Sequence, residues 1–150
     1  MKRFVTAALF AAAMAAPALA DDQATANERC VAMATEQAIA NLPPETPAEQ
    51  KEMMSTMITD VCGCLTTKLA GMGDDGAKVL RVLAVQSKED AMISDPAAQK
   101  AATVAILVKE FGISEEEAGA TYDRVNPQVA EAAMACQQEA MTKLQGGAAQ

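Results

Sequence analysis

The sequence predicts an all-α fold, a single-domain bundle of five or six helices cross-linked by two disulfides. Three observations lead there. Apolar residues recur at three- and four-residue spacing along most of the chain, and no stretch alternates apolar with polar residues as a half-buried strand would. Helix-starting and helix-breaking residues fall where that periodicity begins and ends. Four cysteines, an even number, follow a segment with the properties of an export signal. There is no internal repeat.

That segment comes first. Met1-Lys2-Arg3 is short and basic, Phe4 to Ala16 is an alanine-rich apolar run, and Pro17 breaks it. Ala18-Leu19-Ala20 then has the A-x-A form of a cleavage site, followed by Asp21-Asp22. Residues 1–20 are expected to be a cleaved signal peptide, since the run is too short to span a bilayer. Residues 21–150 are the helical domain. The expected location is the periplasm. No cysteine adjoins the cleavage site, so no lipid anchor is indicated. Charges interrupt every later apolar run, so no membrane span is expected in the mature chain.

The first helix is expected from about Asp22 to Leu42. Cys30, Ala34, Ala38 and Leu42 repeat every four residues, with Val31 and Met33 alongside and Glu28, Arg29, Glu36 and Gln37 on the other sides. Pro43-Pro44 stops it. Thr46-Pro47-Ala48-Glu49 has the form of a capping box with proline at the first helical position. The helix it opens carries Met54, Ile58, Val61, Leu65 and Leu69 as its apolar stripe and ends at Gly71 and Gly73. Asp74-Asp75 is read as the cap of a short helix with Val79, Leu80, Val82 and Leu83. Gln86 to Ser94 is polar and reads as a loop or one helical turn. Asp95-Pro96 starts a helix through Ala101, Val104, Ile106, Leu107 and Phe111, which Gly112 ends. Ser114 with Glu117 is a second capping box, opening a short helix through Tyr122. Asn126-Pro127 is expected to break the chain again. A last helix, to about Leu144, carries Val129, Ala132, Ala133, Cys136 and Ala140 on one face, and a flexible tail begins near residue 145.

Composition narrows the function. Without Lys2 and Arg3 the mature chain has ten basic residues against 20 acidic ones, a net of −10 over 130 residues. That surface repels nucleic acid and anionic lipid, so no nucleic-acid partner is expected. Only Phe111 and Tyr122 remain as aromatics, which leaves no stacking platform for bases or sugars. The core must be built from alanine, leucine, valine and methionine.

The cysteines fall on three helices. Cys62 and Cys64 share one helix and lie about 200° apart around it, whereas a disulfide needs its Cβ atoms roughly 4 Å apart. Pairing them with each other is disfavoured. Two connectivities remain: Cys30–Cys62 with Cys64–Cys136, or Cys30–Cys64 with Cys62–Cys136. The register of an antiparallel first hairpin favours the former. Gly63 between them is out of place, because glycine inside a helix costs about 1 kcal/mol relative to alanine. Either a neighbouring helix approaches closely there, or the helix breaks and Cys62-Gly63-Cys64 becomes an exchangeable pair.

Two chemical alternatives follow from the sulfur atoms. Met53 and Met57 share a flank with Cys64, and thioethers with a thiolate suit Cu(I). Packing is the competing explanation for the methionines, and it requires Met53 to be buried. Thiol–disulfide exchange through Cys62-Gly63-Cys64 is the second alternative, without a histidine to lower a thiol pKa. No zinc or calcium pattern is present. Glu115, Glu116 and Glu117 suit the first turn of a helix. The absence of histidine, of a glycine-rich phosphate loop and of a nucleophile motif argues against an enzyme. The function expected is a binding, structural or stress-protective one, with a protein partner or client and no resident cofactor. In its export signal, acidity, helicity and paired cysteines the chain resembles acid-stress periplasmic chaperones. That resemblance rests on general properties alone, and no motif assigns a residue role through it.

Overall fold

A computed structural model describes residues 15–147. Most of the expected signal peptide, residues 1–14, and the last three residues of the expected tail lie outside the described residues. Six helices follow one another: α1 (Ala15–Ala40), α2 (Ala48–Ala70), α3 (Gly73–Val85), α4 (Lys88–Ala91), α5 (Pro96–Phe111) and α6 (Glu115–Gly147). No strand occurs among the described residues. The all-α bundle with two cross-links is therefore the fold.

The five long helices close a circuit. α1 packs on α2, α2 on α6, α6 on α5, α5 on α3, and α3 back on α1. α4 is a single turn that leans on α5. Two small apolar clusters hold the circuit together. Ala26, Leu69 and Leu80 join α1, α2 and α3, with Leu19, Leu65, Val79, Leu83 and Val129 against them. Val82, Leu107 and Ala118 join α3, α5 and α6. Neither cluster contains an aromatic side chain, as the composition requires. Leu19 belongs to the first cluster, and α1 runs without a break across the expected cleavage site.

Local chemistry explains some ends cleanly. The Asp95 carboxylate accepts from the Ala98 backbone N–H at 2.8 Å, Pro96 follows in the first turn, and Gly112 closes α5 with φ +64°. The Gly112 N–H donates to the Val108 carbonyl at 2.9 Å. Ser87 caps α4 by accepting from the Asp90 N–H at 3.0 Å, and Ser114 accepts from the Glu117 N–H at 3.2 Å. Gly73, with φ +66°, turns the chain from α2 into α3.

Elsewhere tertiary contacts override the local signals. Thr46 does not cap α2. Its hydroxyl donates back to the Pro43 carbonyl at 2.7 Å, within the turn, and Pro47 occupies the cap position. Asp74 and Asp75 lie inside the first turn of α3 rather than capping it. The expected break at Asn126-Pro127 does not occur, and one helix of 33 residues runs through Pro127. An interior proline costs about 3 kcal/mol, and the helix is tied to its neighbours on both sides of it. Before the proline, Lys100 holds Asp123 at 2.6 Å and Asp75 holds Arg124 at 2.8 Å. After it, Cys136 is bonded to α2 and Lys143 reaches Asp60 at 3.7 Å. The Gln128 side-chain amide also donates to the Arg124 carbonyl at 3.1 Å. Gly146 and Gly147 are helical, so the tail does not begin at 145. Arg29, expected on the polar side of α1, is half-buried and donates to the Gln86 carbonyl at the end of α3.

The close approach considered for Gly63 occurs instead at Gly76. The helix is intact at Gly63, and a Cβ there would meet nothing within 4 Å. At Gly76, a Cβ would fall 1.8 Å from the Leu69 carbonyl oxygen and 2.9 Å from the Met72 Cβ. The close approach is between the end of α2 and the first turn of α3. Gly63→Ala should therefore raise stability by about 1 kcal/mol through helix propensity alone. Gly76→Ala should lower it by about 1–3 kcal/mol, because backbone must move. Urea unfolding of the two variants beside the parent decides both signs.

Candidate functional site

Four of the sequence-singled residues are brought together in pairs. Cys30 is bonded to Cys62 at 2.04 Å and Cys64 to Cys136 at 2.05 Å. No cysteine is free among the described residues. α2 thus receives α1 on one flank and α6 on the other. Cys62 is buried, and one turn on the Thr66 hydroxyl is buried with it, donating to the Cys62 carbonyl at 2.9 Å. The loops closed span 32 and 72 residues. Loop-closure entropy for such lengths amounts to about 4 kcal/mol each. Cys64→Ser with Cys136→Ser should lower unfolding free energy by about 2–4 kcal/mol, read by urea titration without reductant.

The soft-metal alternative, Met53 and Met57 with Cys64, requires Cys64 as a reduced thiolate. Cys64 is committed to Cys136, so the oxidised protein offers no thiolate beside Met53 and Met57. Met53 is 58% exposed, which also removes it from the core-filling explanation. Cys62 and Cys64 are not bonded to each other, so the strained exchangeable pair is absent from this arrangement.

The circuit of helices encloses a cavity of about 790 Å³ that is open on one side. Its depth is apolar. Leu65, Val79, Val82, Leu83, Leu107 and Val129 come from α2, α3, α5 and α6 and belong to both clusters. The Cys30 end of the first disulfide and Met33 add sulfur to the wall from α1. The rim is exposed and polar, with Gln37 from α1, Asn41 just beyond its end, Gln99 from α5 and Asn126 from α6. Space of this kind arises because alanine-rich helices held at fixed spacing leave room that their own side chains do not reach.

Charge in the cavity is sparse and unequal. Glu36, Lys88 and Lys78 are its charged residues. Glu36 and Lys88 pair at 2.5 Å on the rim and cancel. Lys78, on α3, is half-buried and has no ion pair among the described residues. Asp75 sits one turn earlier on the same helix, but Arg124 claims both of its oxygens at 2.8 and 2.9 Å. Those hydrogen bonds hold the Asp75 carboxyl below its usual range, with a smaller contribution from the charge of Lys78. The cavity therefore has one lysine, Lys78, outside any ion pair among the described residues, in a chain of net charge −8.

Cys30 was singled out as a cross-link and the aliphatic lining as helix stripes, but nothing in the sequence marked them as the walls of one cavity. Thr66 and Thr121, buried hydroxyls on otherwise apolar faces, are the available signal, and both line the space. Compared with protein-family models, curated proteins and solved structures, the chain matches none. No group of three metal-binding side chains occurs among the described residues, and no described helix is long and apolar enough to cross a membrane.

The Asp75–Arg124 pair ties α3 to α6 beside the cavity. A carboxylate whose folded pKa lies below its unfolded value stabilises the fold above the unfolded value, near pH 4, and loses that contribution as pH falls through the folded one. Stability should thus decline below about pH 4. Arg124→Met should flatten part of that decline, which urea midpoints measured across the acid range will report.

Proposed function

We propose that this chain is an exported, non-catalytic binding protein whose cavity takes up one small, largely apolar molecule. The observation that carries the reading is a space of about 790 Å³ between two separate apolar clusters. Ligand sites typically enclose about 300–1,000 Å³, with apolar walls and few polar groups at fixed places. Protein interiors are otherwise packed to the density of organic crystals, and apolar walls left facing water forgo dispersion contacts. A ligand in this position restores them.

Export is supported by the basic start, the apolar run and the Ala18-Leu19-Ala20 signal, together with two disulfides that suit an oxidising compartment. Cleavage after Ala20 retains Asp22, whose carboxylate meets Arg81 at 3.0 Å, so α1 stays tied to α3. A binding role also agrees with a chain that contains no histidine.

The test uses the mature, oxidised protein and the neutral apolar dye N-phenyl-1-naphthylamine. One dye should bind per chain with enhanced fluorescence. Ala34→Trp and Thr103→Trp fill the cavity from facing helices, α1 and α5, and each should abolish dye binding while circular dichroism stays helical. Absence of saturable dye binding by the parent protein, or unchanged binding in both filled variants, overturns the reading.

A further inference from the structure

Building on the proposed cavity site, we infer that its ligand is a single-chain amphiphile with an anionic head, the head paired with Lys78 and the chain lying along the apolar wall.

The inference starts from charge. Three charged side chains line the cavity, and two of them, Glu36 and Lys88, neutralise each other at 2.5 Å on the rim. The third, Lys78, lies on α3 one residue before Val79 and four before Val82, both part of the wall. The residue is half-buried beside these valines and makes no ion pair among the described residues. A lysine at an apolar wall without a protein partner can offer its charge to an anion in a charge-assisted hydrogen bond. The chain has an excess of acidic residues, 20 against 12, from which a partner might have been drawn. The nearest acidic residue on the same helix, Asp75, is held instead by both arms of Arg124. A ligand that brings its own anion satisfies Lys78, while its hydrocarbon takes the space beside Leu83, Leu107 and Val129.

The wall excludes other ligand classes by the same reasoning. Tyr122 is the cavity's lone aromatic, so a nucleobase or sugar finds no pair of stacking faces. A cationic amphiphile would place like charge against Lys78, and the one carboxylate of the lining is already held by Lys88. Thr66, Thr103 and Thr121 add hydroxyls to a wall that is otherwise mostly aliphatic. The head is thereby defined as an anion, either a carboxylate or a phosphate monoester.

Displacement of bound N-phenyl-1-naphthylamine from the mature protein separates this inference from the reading it rests on. The competitors are dodecanoate, dodecyl phosphate, 1-dodecanol and dodecyltrimethylammonium, each below its micelle concentration. One of the two anions should displace the dye at about tenfold lower concentration than the alcohol, the size expected for one charge-assisted contact. The cationic competitor should be weaker than the alcohol. Stronger displacement by dodecanoate assigns a carboxylate head, and stronger displacement by dodecyl phosphate assigns a phosphate head. Lys78→Met should lose the preference for the anion, read as the ratio of anion to alcohol displacement in that variant at whatever affinity it has for the dye. Lys78→Arg should retain the preference, which a general loss of folding would not do. If the dye binds but anion and alcohol compete equally, or if Lys78→Met leaves the preference intact, the inference is overturned and the cavity reading stands. If the dye does not bind the parent protein, both fall.

Discussion

Cys62 and Cys64 leave α2 on nearly opposite flanks, and the disulfides they make hold α1 and α6 a full helix diameter apart. Everything inside the circuit depends on that spacing. α3, which packs on α1 and α2, and α5, which packs on α6, close the remaining side with valine, leucine and alanine, whose side chains are short. The result is two small apolar clusters instead of one continuous core. The cavity between them is the geometric remainder of a wide frame built from narrow residues. A larger residue at Ala34 or Thr103 would fill it, so its size is a property of the side chains chosen and not of the helix arrangement alone.

Ion pairs on the outside follow the same circuit. Arg81 joins α3 to Asp22 on α1 and to Glu110 on α5. Lys100 joins α5 to Asp123 on α6, and Lys68 joins α2 to Glu139 on α6. Each pair is exposed enough to contribute little alone, on the order of 1 kcal/mol or less. Their placement across helix boundaries matters more than their strength, since it disfavours sliding of one helix along another. The same acidic surface slows the approach of an anionic ligand, and physiological salt screens that repulsion beyond about 8 Å. Recognition by Lys78 then operates after encounter, within the apolar wall.

Much of the fold was legible from residues acting on their own backbone. Asp95, Pro96 and Gly112 bound α5 by rules that need no neighbour. The impossibility of a Cys62–Cys64 bridge in an intact helix also needs only helix geometry. Pro127 was misread because its cost is local but its compensation is not: Asp123 and Cys136 anchor the helix on either side of it. Thr46 was misread because its hydroxyl had a competing acceptor in the preceding turn. Gly63 and Gly76 differ only in what lies beside them, which spacing along the chain does not encode. The cavity is the extreme case. It depends on distances between helices far apart in sequence, and Lys78 looks in the sequence like any lysine on a helix face.

The pairing of cysteines in chain order, first with second and third with fourth, bears on how the protein acquires its bonds. Cys64 follows Cys62 by only two residues, so for an unstructured chain both are almost equally good partners for Cys30. Contour distance along the chain offers almost no discrimination. Orientation around α2 does, because it turns Cys64 away from α1 once the helix exists. Helices form in about a microsecond, whereas disulfides form and reshuffle over seconds to hours. Once α2 is helical, its geometry alone separates Cys62 from Cys64 as the partner of Cys30, which distance along the chain does not.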